Sequence, residues 1–170
     1  MRIYLIGYMG SGKSTLGKML AKYAGMQFID MDHYIEKRNC KTVPRLFAEE
    51  GEEAFRNKER KALHELSEMN DVVIATGGGA PCFFDNMDVM NRTGKTVYLN
   101  ISPKILAERL LNSKTDRPLI RGKTEEELIQ FIDESLKNRN AFYLKAHDQI
   151  TDPDTALEDI ITMLNQDTSH

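Results

Sequence analysis

The stretch Ile3-Tyr4-Leu5-Ile6-Gly7-Tyr8-Met9-Gly10-Ser11-Gly12-Lys13-Ser14-Thr15 decides how the chain is read. Four apolar residues suit a buried strand, and Gly7 to Ser14 follow as G-x-x-x-x-G-K-S, the phosphate-binding loop. A polyphosphate must lie against bare backbone amides, so glycines stand where a Cβ would collide or where φ is positive. Lys13 is placed to put charge on the β- and γ-phosphates, and the Ser14 hydroxyl to hold Mg²⁺. The loop opens a helix, whose N-terminal amides face the anion. Leu16, Met19, Leu20 and Tyr23 recur at helical spacing and predict that helix's apolar face. Strand, loop and helix together make a nucleoside triphosphate the expected ligand.

The rest of the composition narrows the class. At 170 residues, with 41% hydrophobic and 29% charged content, the chain reads as one globular domain, residues 1–170. A net charge of −3 gives no general basic character, so no nucleic-acid partner is expected. Cys40 and Cys82 form no C-x-x-C pair, which argues against zinc or a disulfide framework and fits a reducing compartment. The opening apolar run is too short for a signal peptide or a membrane span, so a cytoplasmic protein without a membrane partner is expected. A monomer is the expected state. There is no internal repeat or low-complexity linker, and no N-K-x-D stretch that would read guanine.

Met26-Gln27-Phe28-Ile29 predicts a second strand, followed directly by Asp30-Met31-Asp32. Two carboxylates just past a strand's C-terminal end stand where open α/β sheets bind ligands. An aspartate there also serves as the N-cap of the helix that starts near His33, and both readings stay open. Residues 34–50 read as two short helices broken by Cys40-Lys41-Thr42 and Pro44, and Glu50-Gly51-Glu52-Glu53-Ala54-Phe55-Arg56 runs into a long helix. Arg56 lies among Glu52, Glu53 and Glu59, which by residue type alone reads as surface ion pairing. Phe55, Ala62, Leu66 and Met69 mark that helix's apolar face.

Val72-Val73-Ile74-Ala75 predicts a buried strand, and Thr76-Gly77-Gly78-Gly79 follows it. Three glycines there expose backbone amides to a small ligand, or form a plain turn. This strand carries no terminal aspartate for Mg²⁺, which leaves Asp30-Met31-Asp32 as its supplier. A helix from about Phe83 to Arg92 leads to a strand at Thr96-Leu99, and Ser102-Pro103 caps the next helix. Residues 112–123 hold four Lys or Arg in an otherwise acidic chain. That segment reads either as a lid closing over the nucleotide or as a solvated loop. Thr124 caps a helix with Leu128, Ile132 and Leu136 inward and Arg139 near its end; a weak strand at Gln149-Ile150 precedes Thr151-Asp152-Pro153 and a last helix. Alternating strands and helices predict an α/β three-layer sandwich on a five-stranded parallel sheet, with every motif at one edge.

These residues resemble the shikimate kinases, a family with the nucleoside-monophosphate-kinase-like P-loop fold. The likeness spans about residues 2 to 165. It rests on Gly7 to Thr15, Asp30-Met31-Asp32, Phe47 to Arg56, Gly77-Gly78-Gly79, Arg117-Pro118-Leu119 and Arg139 to Tyr143. The resemblance implies transfer of the γ-phosphoryl of ATP, with Mg²⁺, to the 3-hydroxyl of shikimate, a step toward the aromatic amino acids. It implies that Arg56 and Arg139, with Gly77, Gly78 and Gly79, clamp the acceptor's carboxylate, a task suited to the forked guanidinium. Asp32 then bonds the ring hydroxyls and accepts a proton, Ser14 is the direct Mg²⁺ ligand, and Asp30 faces the ion through water. Gly10, Ser11, Gly12, Lys13, Ser14 and Thr15 cradle the phosphates. Arg117 is the lid arginine, within a lid of about 112–123, and Arg109 and Pro153 lie on the adenine side. The acceptor sits on helices of about 33–62. Where the family often has a non-proline residue after the triple glycine, this chain has Ala80-Pro81-Cys82. Two rivals stand beside this expectation: a kinase of the same fold for another acceptor, such as gluconate or a nucleoside monophosphate, and a nucleotide-binding protein without turnover.

Overall fold

The computed structural model describes residues 1–115 and 117–169. Asp116, inside the expected lid, and His170 lie outside the described residues. Five parallel strands form one sheet in the order β2-β3-β1-β4-β5: β1 Arg2–Ile6, β2 Gln27–Asp30, β3 Val72–Ala75, β4 Lys95–Leu99 and β5 Asp148–Ile150. The central strands are buried along their length, as strands covered on both faces must be. Leu5 pairs with Ala75 and with Val97, Asp30 with Ala75, and Leu99 with Ile150. Their C-terminal ends are therefore level, and β1 delivers its loop to the middle of that edge.

The helices are α1 Lys13–Ala24, α2 Met31–Asn39, α3 Val43–Leu66, α4 Asn86–Thr93, α5 Pro103–Asn112, α6 Glu125–Tyr143 and α7 Ala156–Asp167. Helix α1 packs on β3 and α7, α4 on β4, and α5 on α6, giving the expected α/β sandwich. Thr42, Ser102 and Thr124 cap α3, α5 and α6, each hydroxyl accepting from the amide three residues on. The break expected near Cys40 is there, with Cys40 left-handed at φ 53°. Gly51, at φ 85°, interrupts α3 and folds Phe47 back onto Phe55, their ring centroids 4.5 Å apart.

Three expectations need correction. Met19 and Tyr23 are exposed, and α1 instead buries Leu16, Gly17, Leu20 and Ala21. The reason is Gly17: a Cβ there would lie 2.6 Å from the Phe28 ring, so the helix settles on its small residues, which an apolar periodicity undercounts. Helix α3 ends at Leu66, leaving Met69 outside it. Helix α4 begins at Asn86, because Ala80–Cys82 forms a 3₁₀ turn and Phe84 is left-handed at φ 51°. Among the described residues no helix is long and apolar enough to cross a membrane.

Candidate active site

The loop after β1 builds the nucleotide half. Gly10 and Gly12 hold φ of 80° and 94°, a region closed to most side chains. Ser11 donates its amide to the Tyr8 carbonyl at 3.1 Å, closing the turn. Lys13 folds across the loop, its Nζ donating to the carbonyls of Gly7 at 2.6 Å and Tyr8 at 3.0 Å. Burial brings its ammonium down to about 8, against the pull of Asp32. Beside the loop a cleft of about 480 Å³ is lined by Gly10, Ser11, Gly12, Thr15, Arg109 and Pro153. Arg109 donates from Nη1 to the Gly10 carbonyl at 3.3 Å, tying α5 to the loop.

Asp30 caps α2, as expected, and reaches the phosphate loop with its second oxygen. One carboxylate oxygen accepts the His33 amide at 3.1 Å and caps α2, and the other accepts the Ser14 hydroxyl at 2.8 Å. This pair of hard oxygen donors at the mouth of a phosphate loop suits Mg²⁺, which takes few protein ligands and completes its shell with water and phosphate oxygens. Asp32 lies one step into α2, and burial raises its pKa, with Asp30 adding to the shift and Lys13 opposing it.

The acceptor half is drawn from α3, the loop after β3, and α6. Each glycine of the triplet leaves space that a charged group fills. A Cβ at Gly77 would lie 2.8 Å from Asp32 Oδ1, at Gly78 3.2 Å from Arg139 Nη1, and at Gly79 2.7 Å from Arg56 Nη1. Arg56 is largely buried and donates from Nη1 to Glu59 Oε1 at 2.9 Å. Glu59 itself is 1% exposed, and burial pushes its carboxyl up to about 7 against the attraction of Arg56. Arg139 lies over the Tyr8 ring, 5.1 Å from its centroid, and donates to the Tyr143 hydroxyl at 3.3 Å. That hydroxyl in turn donates to the Gly78 carbonyl.

One cavity of about 340 Å³ joins the halves, lined by Lys13, Ser14, Asp30, Asp32, Gly78 and Arg117. Arg117 approaches the loop from the α5–α6 connection, its Nη1 3.6 Å from Met9 Sδ. Of the expected site residues, Arg109 and Pro153 line the neighbouring cleft, and Arg56 and Arg139 reach this cavity's glycine wall without lining it, Arg139 beside Gly78 and Arg56 beside Gly79. Sequence reasoning gave no role to Tyr8, Tyr143 or Phe83, and gave Glu59 only surface ion pairing with Arg56. The pair forms at the expected helical spacing, but it is buried rather than at the surface. Tyr143 stands at i+4 from Arg139 on α6, a signal of the same kind, whereas Tyr8 and Phe83 come from other elements and left none.

A phosphate loop at the centre of a parallel sheet, opening into a cavity edged by Asp30, Asp32 and Arg117, with Arg56 and Arg139 beside the glycines behind it, defines a P-loop phosphotransferase for a small anionic acceptor. A model of the family "Shikimate kinase" matches residues 9–168. The chain is 59% identical to a shikimate kinase of Parabacteroides distasonis over 85% of this chain and 84% of that one. Among solved structures, a shikimate kinase from Bacteroides thetaiotaomicron superposes with a TM-score of 0.92 at 47% identity, over 97% of this chain and 98% of that one. One from Acinetobacter baumannii, in complex with shikimate, gives 0.86 at 33% identity over 98% and 93%. The chain belongs to the shikimate kinase family.

Proposed function

We propose that the chain transfers the γ-phosphoryl group of ATP to the 3-hydroxyl of shikimate, a step in aromatic amino acid biosynthesis, with its residues dividing the work as follows. The triphosphate lies on the amides of Gly10, Gly12 and Lys13, and the adenosine extends past Arg109 and Pro153. Lys13 leaves the loop carbonyls for the β- and γ-phosphates. Ser14 and Asp30 would hold Mg²⁺, which neutralises phosphate charge when bound. Arg56 and Arg139, which the side-chain-free Gly79 and Gly78 let approach closely, fork onto the shikimate carboxylate. Asp32 accepts the hydroxyl's hydrogen bond and orients it toward the γ-phosphorus. Arg117, on a lid of about 112–123, meets the charge that develops on the transferring group, and helices of about 33–62 carry the acceptor.

The observation that carries this reading is the shared cavity, which sets Lys13 and Arg117 against Asp32 and Gly78. Phosphoryl transfer asks for positioning and charge neutralisation rather than covalent help, and these residues supply both. A coupled assay that releases ADP only when ATP, Mg²⁺ and shikimate are all present tests it. Turnover with gluconate or a nucleoside monophosphate instead of shikimate would sink it, as would ATP binding without turnover.

A further inference from the structure

Ala80-Pro81-Cys82, directly after the triple glycine, shapes the chain that follows it. The segment winds into a 3₁₀ turn, Ala80 donating its amide to Gly77 O at 3.1 Å and Cys82 to Gly79 O at 3.0 Å. The buried Asn86 side chain holds the turn from below, donating to the Ala80 carbonyl at 2.9 Å. Phe83 then leaves in an extended conformation, and Phe84 is left-handed at φ 51°. A bulky aromatic residue is rare in that region and stays there only where its surroundings hold it. Successive side chains of an extended chain point to opposite sides. The left-handed Phe84 breaks that alternation, and both rings meet α3.

The result is a two-rung ladder. The Arg56 guanidinium carbon lies 4.1 Å from the centroid of Phe83, and that of Arg60, one helical turn further on, lies 4.9 Å from the centroid of Phe84. Phe83 is the nearest of the rings around Arg56, since Phe55 and Phe47 stand 5.3 and 5.7 Å away. Glu59 accepts from Nη1 of the same guanidinium, and Nη1 and Nη2 lie against Gly79 in the space that a Cβ there would need. A ring against a guanidinium face restrains its plane and leaves its in-plane N–H groups free for an oxygen ligand.

We propose that Phe83 is a positioning residue for the acceptor's carboxylate: its ring, set by the 3₁₀ turn and the left-handed Phe84, fixes the plane and aim of the Arg56 guanidinium. The inference rests on the reading of Arg56 as a carboxylate ligand. Phe83 therefore serves acceptor affinity, and residues 81–84 do not line the cleft beside the phosphate loop.

Steady-state kinetics with shikimate and ATP varied in turn test it, on F83L and F83M, which keep bulk but lose the ring, and on F83Y, which keeps it. The expected result is a rise of about threefold to thirtyfold in shikimate KM for F83L and F83M, the range of a cation–π contact from exposed to desolvated. ATP KM and kcat are expected to stay within twofold, and F83Y to restore the shikimate KM. In an R56K background the F83L penalty disappears, because the group being aimed has gone. If shikimate KM stays within twofold in F83L and F83M while R56K raises it, the inference falls and the carboxylate reading stands. If R56K itself leaves shikimate KM unchanged, the carboxylate reading falls and takes the inference with it. If both KM values and kcat worsen together alongside a lowered Tm, Phe83 is packing only and the inference falls. Should F83L not fold, the contrast of F83M with F83Y decides between the same outcomes.

Discussion

The two halves of the active site recognise anions by different physics. The nucleotide half uses backbone: a contiguous loop whose glycines adopt φ values other residues avoid, so that amides converge on phosphate. The acceptor half uses side chains from three separate elements, and its arginines are held by Glu59, Tyr143 and the aromatic faces of Phe83 and Tyr8. A backbone nest keeps its shape because the chain conformation enforces it. A guanidinium keeps its aim only while its neighbours restrain it, so the acceptor half should be the easier of the two to detune without loss of fold.

Removing Lys13 gives the largest expected effect and tests the nucleotide half. Lys13→Ala should lower kcat about a hundredfold to a thousandfold, the usual consequence of losing one charge-stabilising donor in a dry site. Shikimate KM should stay near the wild-type value, because no acceptor contact is lost. A comparable rise in shikimate KM would show that the halves are not separable in this way.

The acceptor half should fail in the opposite manner. Arg56→Lys keeps the charge but loses the fork, and should raise shikimate KM about thirtyfold, about 2 kcal/mol, with ATP KM unchanged. Kinetics with each substrate varied in turn separate the two outcomes.

This contrast also explains what could be read without coordinates. Gly7 to Ser14 are contiguous, each residue type is fixed by a local need, and the strand and helix around them follow from short periodicities. Arg56 offers no such pattern. Its neighbours Glu52 and Glu59 look alike in the sequence, yet Glu59 is buried and Glu52 is exposed, a difference set by α3 packing against the loop after β3. Met19 and Tyr23 misled for a related reason: the tight contact of Gly17 with Phe28, rather than apolar periodicity, decides which face of α1 turns inward. The left-handed Phe84 is equally silent, since nothing about a phenylalanine announces a positive φ.

Glu59 sharpens the comparison through pH. Its carboxyl is pushed up to about 7, with Arg56, Asp32 and Arg139 the charges that face it. Below that pH it is neutral and Arg56 is free to serve the substrate's carboxylate alone; above it, two carboxylates share the guanidinium. Binding an anion therefore favours protonated Glu59, and by linkage affinity falls as pH rises through the pKa. Shikimate KM should climb about fivefold between about pH 6 and 8, and Glu59→Gln should flatten that rise. The raised pKa of Asp32 acts on the other parameter: on the proposed reading its ionised form accepts the hydroxyl's hydrogen bond, so kcat should increase as pH rises over its titration. ATP KM should not follow the Glu59 titration and should rise only as pH approaches 8, where Lys13 begins to lose its proton.

The smallest effect is expected at Asp30, the residue that joins scaffold and chemistry. It caps α2 through the His33 amide and touches Ser14 with its other oxygen. Asparagine caps a helix as well as aspartate, so Asp30→Asn should leave Tm almost unchanged, whereas Asp30→Ala should cost about 1 kcal/mol of stability. Both lose a negative charge beside the expected Mg²⁺ position. If Asp30 meets the ion only through water, as the family resemblance implies, the Mg²⁺ concentration for half-maximal activity should rise only about threefold in each. Thermal melting and Mg²⁺ titration of the two variants thus separate the capping role from the metal role. Equal loss of stability in both would mean that the Ser14 contact, and not the cap, is what Asp30 contributes to the fold.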